Sequence, residues 1–115
     1  MTADTAGTES WYAVRCVFQW DTPGAPLYEE RLTLWQAGSA DEAIERAEDE
    51  AGTYADDNGL RYLELAQCYT LATDGRPGDG DEVFSLLRES QLGREDYLDH
   101  YFDSGTERQG AVAEE

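Results

Sequence analysis

The single histidine of this chain, His100, falls four residues after Asp96 and three before Asp103. On a helix that spacing sets an imidazole beside two carboxylates, a group that could hold a divalent cation or act as a general base. No second imidazole or thiolate stands at ligand spacing, and a solvent-facing histidine on an acidic helix is the simpler expectation. Asp74, Asp79, Asp81 and Glu82 crowd a loop with Gly75, Gly78 and Gly80. The cluster faintly resembles a calcium loop. Arg76 and Pro77, however, stand where the EF-hand pattern needs ligands, and glycine-rich hairpin loops gather Asp for turn reasons alone. Cys16 shares a strand face with Phe18 and Trp20, so it is expected as a packed thiol rather than a nucleophile, and no bond to Cys68 is expected. The glycines make neither a P-loop nor a dinucleotide fingerprint, and no serine has a nucleophile-elbow context. The residues therefore nominate no catalytic group, no metal ligands and no cofactor, and the expectation leans away from an enzyme.

Charge says more about partners than about chemistry. The chain has 26 acidic residues against 8 basic ones, all of them Arg, for a net charge of -18 over 115 residues. Arg without Lys, with much Ala, Gly, Asp and Glu, fits a GC-rich bacterial or salt-adapted proteome. A basic protein partner or a nucleic-acid mimic would also account for the acidity. Direct binding to nucleic acid or to an anionic membrane is disfavoured, because both need clustered cations. The longest apolar run is too short to span a bilayer, and Met1 to Ser10 lacks the basic start and apolar stretch of a signal peptide, so a cytoplasmic location is expected.

The periodicity predicts the elements that would position these residues. Trp11 to Trp20 alternates as a strand, with Tyr12, Val14, Cys16, Phe18 and Trp20 making one apolar face. The turn-rich DTPGAP follows, then a second strand, Leu27 to Ala37, with Tyr28, Leu32 and Leu34 expected inward. Ser39 with Glu42 forms a capping box ahead of a helix from Ala40 to about Asp56. Ile44, Ala47, Ala51 and Tyr54 line its apolar side, and Asn58 or Gly59 ends it. Leu60 to Thr73 reads as a third strand, Glu82 to Glu89 as a fourth, and Arg94 to Asp103 as a short helix. The expected fold is α+β: a four-stranded antiparallel sheet in the order β-β-α-β-β-α, the main helix on one face, and a short C-terminal helix. Residues 1–10 are expected to be flexible, 11–103 to form a single domain, and 104–115 to be a flexible acidic tail.

Neither face of the expected sheet is polar. Trp11, Val17, Trp35, Tyr62 and Cys68 fall with Arg15 and Arg31 on what should be the second face, where a solvated antiparallel sheet shows polar residues. Either the C-terminal helix covers that face, or a second copy or a partner protein does. The strand arginines are expected to pair with Glu29, Glu30, Glu64 or Glu89. The interaction candidates are thus Trp11, Arg15, Val17, Arg31, Trp35 and Tyr62 on the sheet, and Glu45, Glu48 and Asp49 on the helix. The expected function is a small non-catalytic protein working through protein–protein contacts, in an accessory, immunity-like or inhibitor role, with a basic partner or as a homodimer. The alternatives are a small metal-dependent enzyme using His100, and a nucleic-acid mimic.

The segments WYAVRCVFQW, YEERLTLWQA, SADEAIERAEDEA and DGDEVFSLLRES together resemble a family of small bacterial proteins of unknown function. Its members open with a W-Y-A-V-type strand and carry a D-G-x-E-V-F-S-like segment near the end. The resemblance runs from about Trp11 to Ser90 and implies one compact α+β domain. It implies no activity, cofactor or site residue.

Overall fold

The computed structural model describes residues 9–73 and 75–108. They gather into two compact units, one ending at Ser85 and the other beginning at Leu86.

The first unit is built on β1 (Ser10–Trp20), whose helix-side residues Tyr12, Val14, Cys16 and Phe18 are all buried. β2 (Leu27–Ala37) returns antiparallel to β1 in unbroken register from Ser10↔Ala37 to Trp20↔Leu27. The turn between them uses Gly24 at φ 92, a left-handed value that glycine takes without a Cβ clash. Helix α1 (Ala40–Asn58) then crosses the sheet, and β3 (Arg61–Thr70) pairs antiparallel with the other side of β1, giving the order β2-β1-β3.

Both ends of α1 form as the sequence dictates. The Ser39 hydroxyl accepts from the Glu42 amide at 3.1 Å, and the Glu42 carboxylate accepts from the Gly38 amide at 2.8 Å. Gly59 stops the helix at φ 69, its amide donating to the Ala55 carbonyl. The helix rests on β1 through four buried alanines, Ala43, Ala47, Ala51 and Ala55, with Ile44 and Tyr54 half-buried beside them. Alanine side chains let the helix lie close, so the core is thin. Phe18 and Val14 are its largest fully buried side chains.

Among the described residues, the expected four-stranded sheet is corrected to three strands. Glu82 to Glu89 is irregular and almost wholly exposed. Its sequence, EVFSLLRE, offers no alternating face, so pairing on a sheet edge would bury little. One side chain anchors it instead. Phe84 packs against Tyr69 with ring centroids 4.8 Å apart and lies under the Arg15 guanidinium at 5.1 Å. At Phe84 the chain therefore lies over the sheet's second face rather than along its edge.

The faces of β2 are also opposite to expectation. Cys16 pairs with Arg31 and Tyr12 with Trp35, which turns Glu29, Arg31, Thr33 and Trp35 toward the helix. Tyr28, Leu32 and Leu34 point the other way and are exposed. On the helix side the middle strand is buried from Tyr12 to Phe18, whereas the residues of the two flanking strands are mostly only half-buried. The flanking strand supplies amphipathic side chains that bury a stem or ring at the rim and keep a polar end in water. β3 follows suit, with Tyr62, Ala66 and Cys68 on the helix side and Leu63 and Leu65 exposed. The pairing shifts by two residues between Cys16↔Ala66 and Phe18↔Tyr62, a bulge that keeps the faces in phase. Glu64 sits in it at φ 62, in the left-handed region.

The second unit contains a short helix, α2 (Arg94–Tyr97), that widens into a π-type turn over Leu98–Phe102. Arg88 donates to the Tyr97 hydroxyl at 3.0 Å and lies 4.2 Å from the Tyr101 ring centre. Glu107 closes a turn by accepting from the amide and the hydroxyl of Ser104, both at 2.8 Å. The expected flexible segment 1–10 lies mostly, and the tail beyond residue 108 wholly, outside the described residues.

A left-handed non-glycine residue costs about 1–2 kcal/mol. Glu64→Gly is therefore expected to raise the unfolding free energy by about 1 kcal/mol, after glycine's own entropic cost is set against that relief. Ala47→Leu should lower it by about 1–3 kcal/mol by forcing helix and sheet apart. Urea denaturation measures both.

Candidate functional site

Two polar clusters flank the alanine seam on the helix side of the sheet. In the first, Arg31 on β2 reaches Glu50 on α1 with two hydrogen bonds of 3.1 and 3.3 Å, and its guanidinium lies 3.7 Å from the Tyr54 ring centre. Tyr54 donates to Glu29 at 2.9 Å, and the Trp20 indole donates to the same carboxylate at 2.9 Å. The ring of Tyr54 meets Phe18 edge-on at 5.1 Å. Each polar atom finds a partner at the rim while its ring or stem adds to the core.

The second cluster joins Tyr62 on β3, Glu48 on α1 and Cys16 on β1. The Tyr62 hydroxyl donates to Glu48 at 2.5 Å, and its ring packs on Phe18 at 5.4 Å. Burial raises the Cys16 thiol above its ordinary value; the Tyr62 hydroxyl partly offsets this, and Glu48 and Glu50 add to it. Burial also raises Tyr62, reinforced by its bond to Glu48. Tyr54 shifts upward for the same two reasons, burial first and Glu29 second. Cys68 is raised by burial and then by Asp41. At both cysteines burial opposes the thiolate form.

The other face of the sheet is divided. Toward one end, Phe84 covers Tyr69 and Arg15, Arg76 lies 5.7 Å from the Trp11 ring centre, and Ala13 is fully buried. Arg15 also donates to Gln67 at 2.6 Å and pairs with Glu30 across the hairpin at 3.5 Å. Toward the other end, Tyr28 is 63% exposed, Leu32 42%, Leu63 37% and Leu65 55%, with Val17 between them on the central strand.

The structure thus separates the residues that the sequence grouped. Trp11, Arg15 and Val17 lie on the open face. Arg31, Trp35 and Tyr62 lie on the helix side, as rim groups of the core. Trp35 donates to Thr33 at 2.7 Å and carries Arg46 at 5.3 Å from its ring centre. Glu45 and Asp49 face solvent on the outer side of α1, whereas Glu48 is half-buried on Tyr62. Of the expected strand ion pairs, Arg15 with Glu30 forms, but Arg31 turns to the helix instead. The sequence reading missed Tyr28, Leu32, Leu34, Leu63 and Leu65 as surface residues. Their alternation was visible, but which side the helix would take was not.

His100 packs its ring edge-on to Tyr101 at 4.4 Å. In the glycine-rich loop, Asp81 accepts from the Gly78 amide at 2.7 Å, closing a turn, and Asp74 lies outside the described residues. Among the described residues, no three His, Cys, Asp or Glu side chains come together as a metal-holding group. No described helix is long and apolar enough to cross a membrane. No family model matches the chain, and neither the curated proteins nor the solved structures contain a match to it.

Cys16, Tyr54 and Tyr62 all hold their protons more firmly in the folded chain than in the unfolded one. Their stabilisation is fully present below the ordinary values of 9.0 for the thiol and 10.0 for the phenols, and is lost as the pH rises above them. Urea titrations should therefore show the unfolding free energy falling between about pH 9 and about pH 11. Tyr62→Phe should make that fall shallower, and an unchanged slope would remove Tyr62 from the cause.

Proposed function

We propose that the chain is a small non-catalytic interaction protein that engages a protein partner through the open face of its sheet. The observation that carries this reading is the cluster of Tyr28, Leu32, Leu63 and Leu65, exposed together on one face while β1's other face is sealed by α1. A solvated sheet face bears polar side chains, and a contiguous apolar one marks a contact surface. A flat three-stranded surface suits a protein better than a small ligand, which needs a concave pocket. The acids of α1, Glu45 and Asp49 among them, lie on the opposite side of the sheet. They contribute to the field around the molecule, which acts on the rate and selectivity of encounter, rather than to the contact.

A photo-reactive amino acid at residue 32 should yield a discrete protein adduct in the producing cell, and Leu65→Asp should reduce that adduct at least about fivefold, because a buried charge without a partner is costly. The same probe at residue 45 should give little. Adducts from residue 45 alone would move the contact to the outer side of α1 and overturn the reading.

A further inference from the structure

The chain holds a single asparagine, Asn58, and a glycine follows it. In such a pair the backbone nitrogen of the glycine can attack the neighbouring carboxamide, because no Cβ stands in the way. The fold places Asn58 and Gly59 at the C-terminus of α1, with both residues exposed to water.

Helix carbonyls hold both reacting groups. Asn58 Nδ2, the nitrogen that would leave, donates to the Tyr54 carbonyl at 2.9 Å. The Gly59 amide, the nucleophile, donates to the Ala55 carbonyl, which also accepts from the Leu60 amide at 2.9 Å. Ring closure must turn the Asn58 backbone out of its helical conformation, and that gives up the bonds at both nitrogens. The closed cap is therefore unreactive, and only a frayed one reacts. Charge favours fraying at this end. Asp56 and Asp57 stand at the negative end of the helix dipole, and no basic residue occupies the last turn. Helix ends open at little cost in free energy.

We infer that Asn58 is a site of spontaneous modification, where the side-chain amide closes onto the Gly59 nitrogen at a pace set by the C-cap of α1. The inference is independent of the proposed contact face. Hydroxide takes the Gly59 amide proton, the nitrogen bonds to Asn58 Cγ, and the Cγ–Nδ2 bond breaks. The departing nitrogen takes a proton from water and leaves as ammonia. A water molecule then opens the five-membered imide at either carbonyl. The products are aspartate and its isomer, whose main chain runs through the side-chain carboxyl carbon. Nothing is oxidised or reduced.

Either product weakens the cap. The donor to the Tyr54 carbonyl is lost, and a further carboxylate joins Asp56 and Asp57 at the negative end of the dipole. The loosened turn carries Tyr54, which donates to Glu29 and lies against Arg31. The Asp–Gly pairs at 74–75 and 79–80 can form the same imide, but water returns aspartate or its isomer there without a change of mass.

Incubation of the full chain at mildly alkaline pH, followed by mass spectrometry of the peptide holding residue 58, is the test. The native chain should gain the mass of an amide turned into an acid at this residue, as two separable products. In concentrated guanidinium chloride the conversion should run at least about fivefold faster, since the cap is gone. Asp56→Lys, which complements the dipole, should slow the native chain at least about twofold and leave the denatured chain unchanged. Asn58→Asp should lower the urea midpoint of unfolding. No gain at residue 58 in the native chain would overturn the modification site. Equal rates in the native and denatured chains, or a native rate indifferent to Asp56→Lys, would overturn control by the cap. An Asn58→Asp midpoint equal to the native one would overturn the weakening.

Discussion

The contact between four alanines of α1 and the unbroken apolar face of β1 is the interaction on which the rest of this fold depends. Ala43, Ala47, Ala51 and Ala55 recur along one side of the helix and are all buried. Without branches or rings, they bring the helix axis close to the sheet. The cost is a core with few large side chains: Tyr12, Val14, Cys16 and Phe18 provide most of its volume. A seam this narrow covers the central strand and leaves the flanks of the sheet's helix side only partly sheltered.

The flanks are completed by residues that are apolar along their length and polar at their tips. Arg31, Tyr54, Trp20 and Glu29 form one rim, and Tyr62 with Glu48 forms another. Seen as isolated residues, an arginine, a glutamate and two tyrosines near a cysteine suggest a catalytic set. Seen with their partners, they are how a thin core meets water without stranding a donor or acceptor. The upward shifts of Cys16 and Tyr62 follow from the same arrangement, since burial opposes charge on both.

The long amphipathic residues on the helix side of β2 have a consequence on its other side. Alternation leaves Tyr28, Leu32 and Leu34 pointing away from the helix, where only part of the face receives cover from Phe84. The exposed remainder is the surface on which the functional reading rests.

The amino-acid sequence by itself determined the hairpin, the limits of β2, the capping of α1 by Ser39 and Gly59, and the apolar face of β1. These depend on neighbours within a few residues, on a strict period of two or on a helical stripe, and such signals are local. The tertiary structure decided which way β2 and β3 would turn. Both of their faces hold apolar residues, so hydrophobicity alone could not choose between Tyr28 with Leu32 and Arg31 with Trp35. The pairing register with β1 chose, because it fixed which side chains would share the helix's side. The tertiary structure also decided the fate of Glu82 to Glu89. A segment without an alternating face gains little as a strand, and the one aromatic it carries found a better place on Tyr69 and Arg15. The interaction candidates divided along the same line: Trp11, Arg15 and Val17 stayed on the open face, while Arg31, Trp35 and Tyr62 became part of the core's rim.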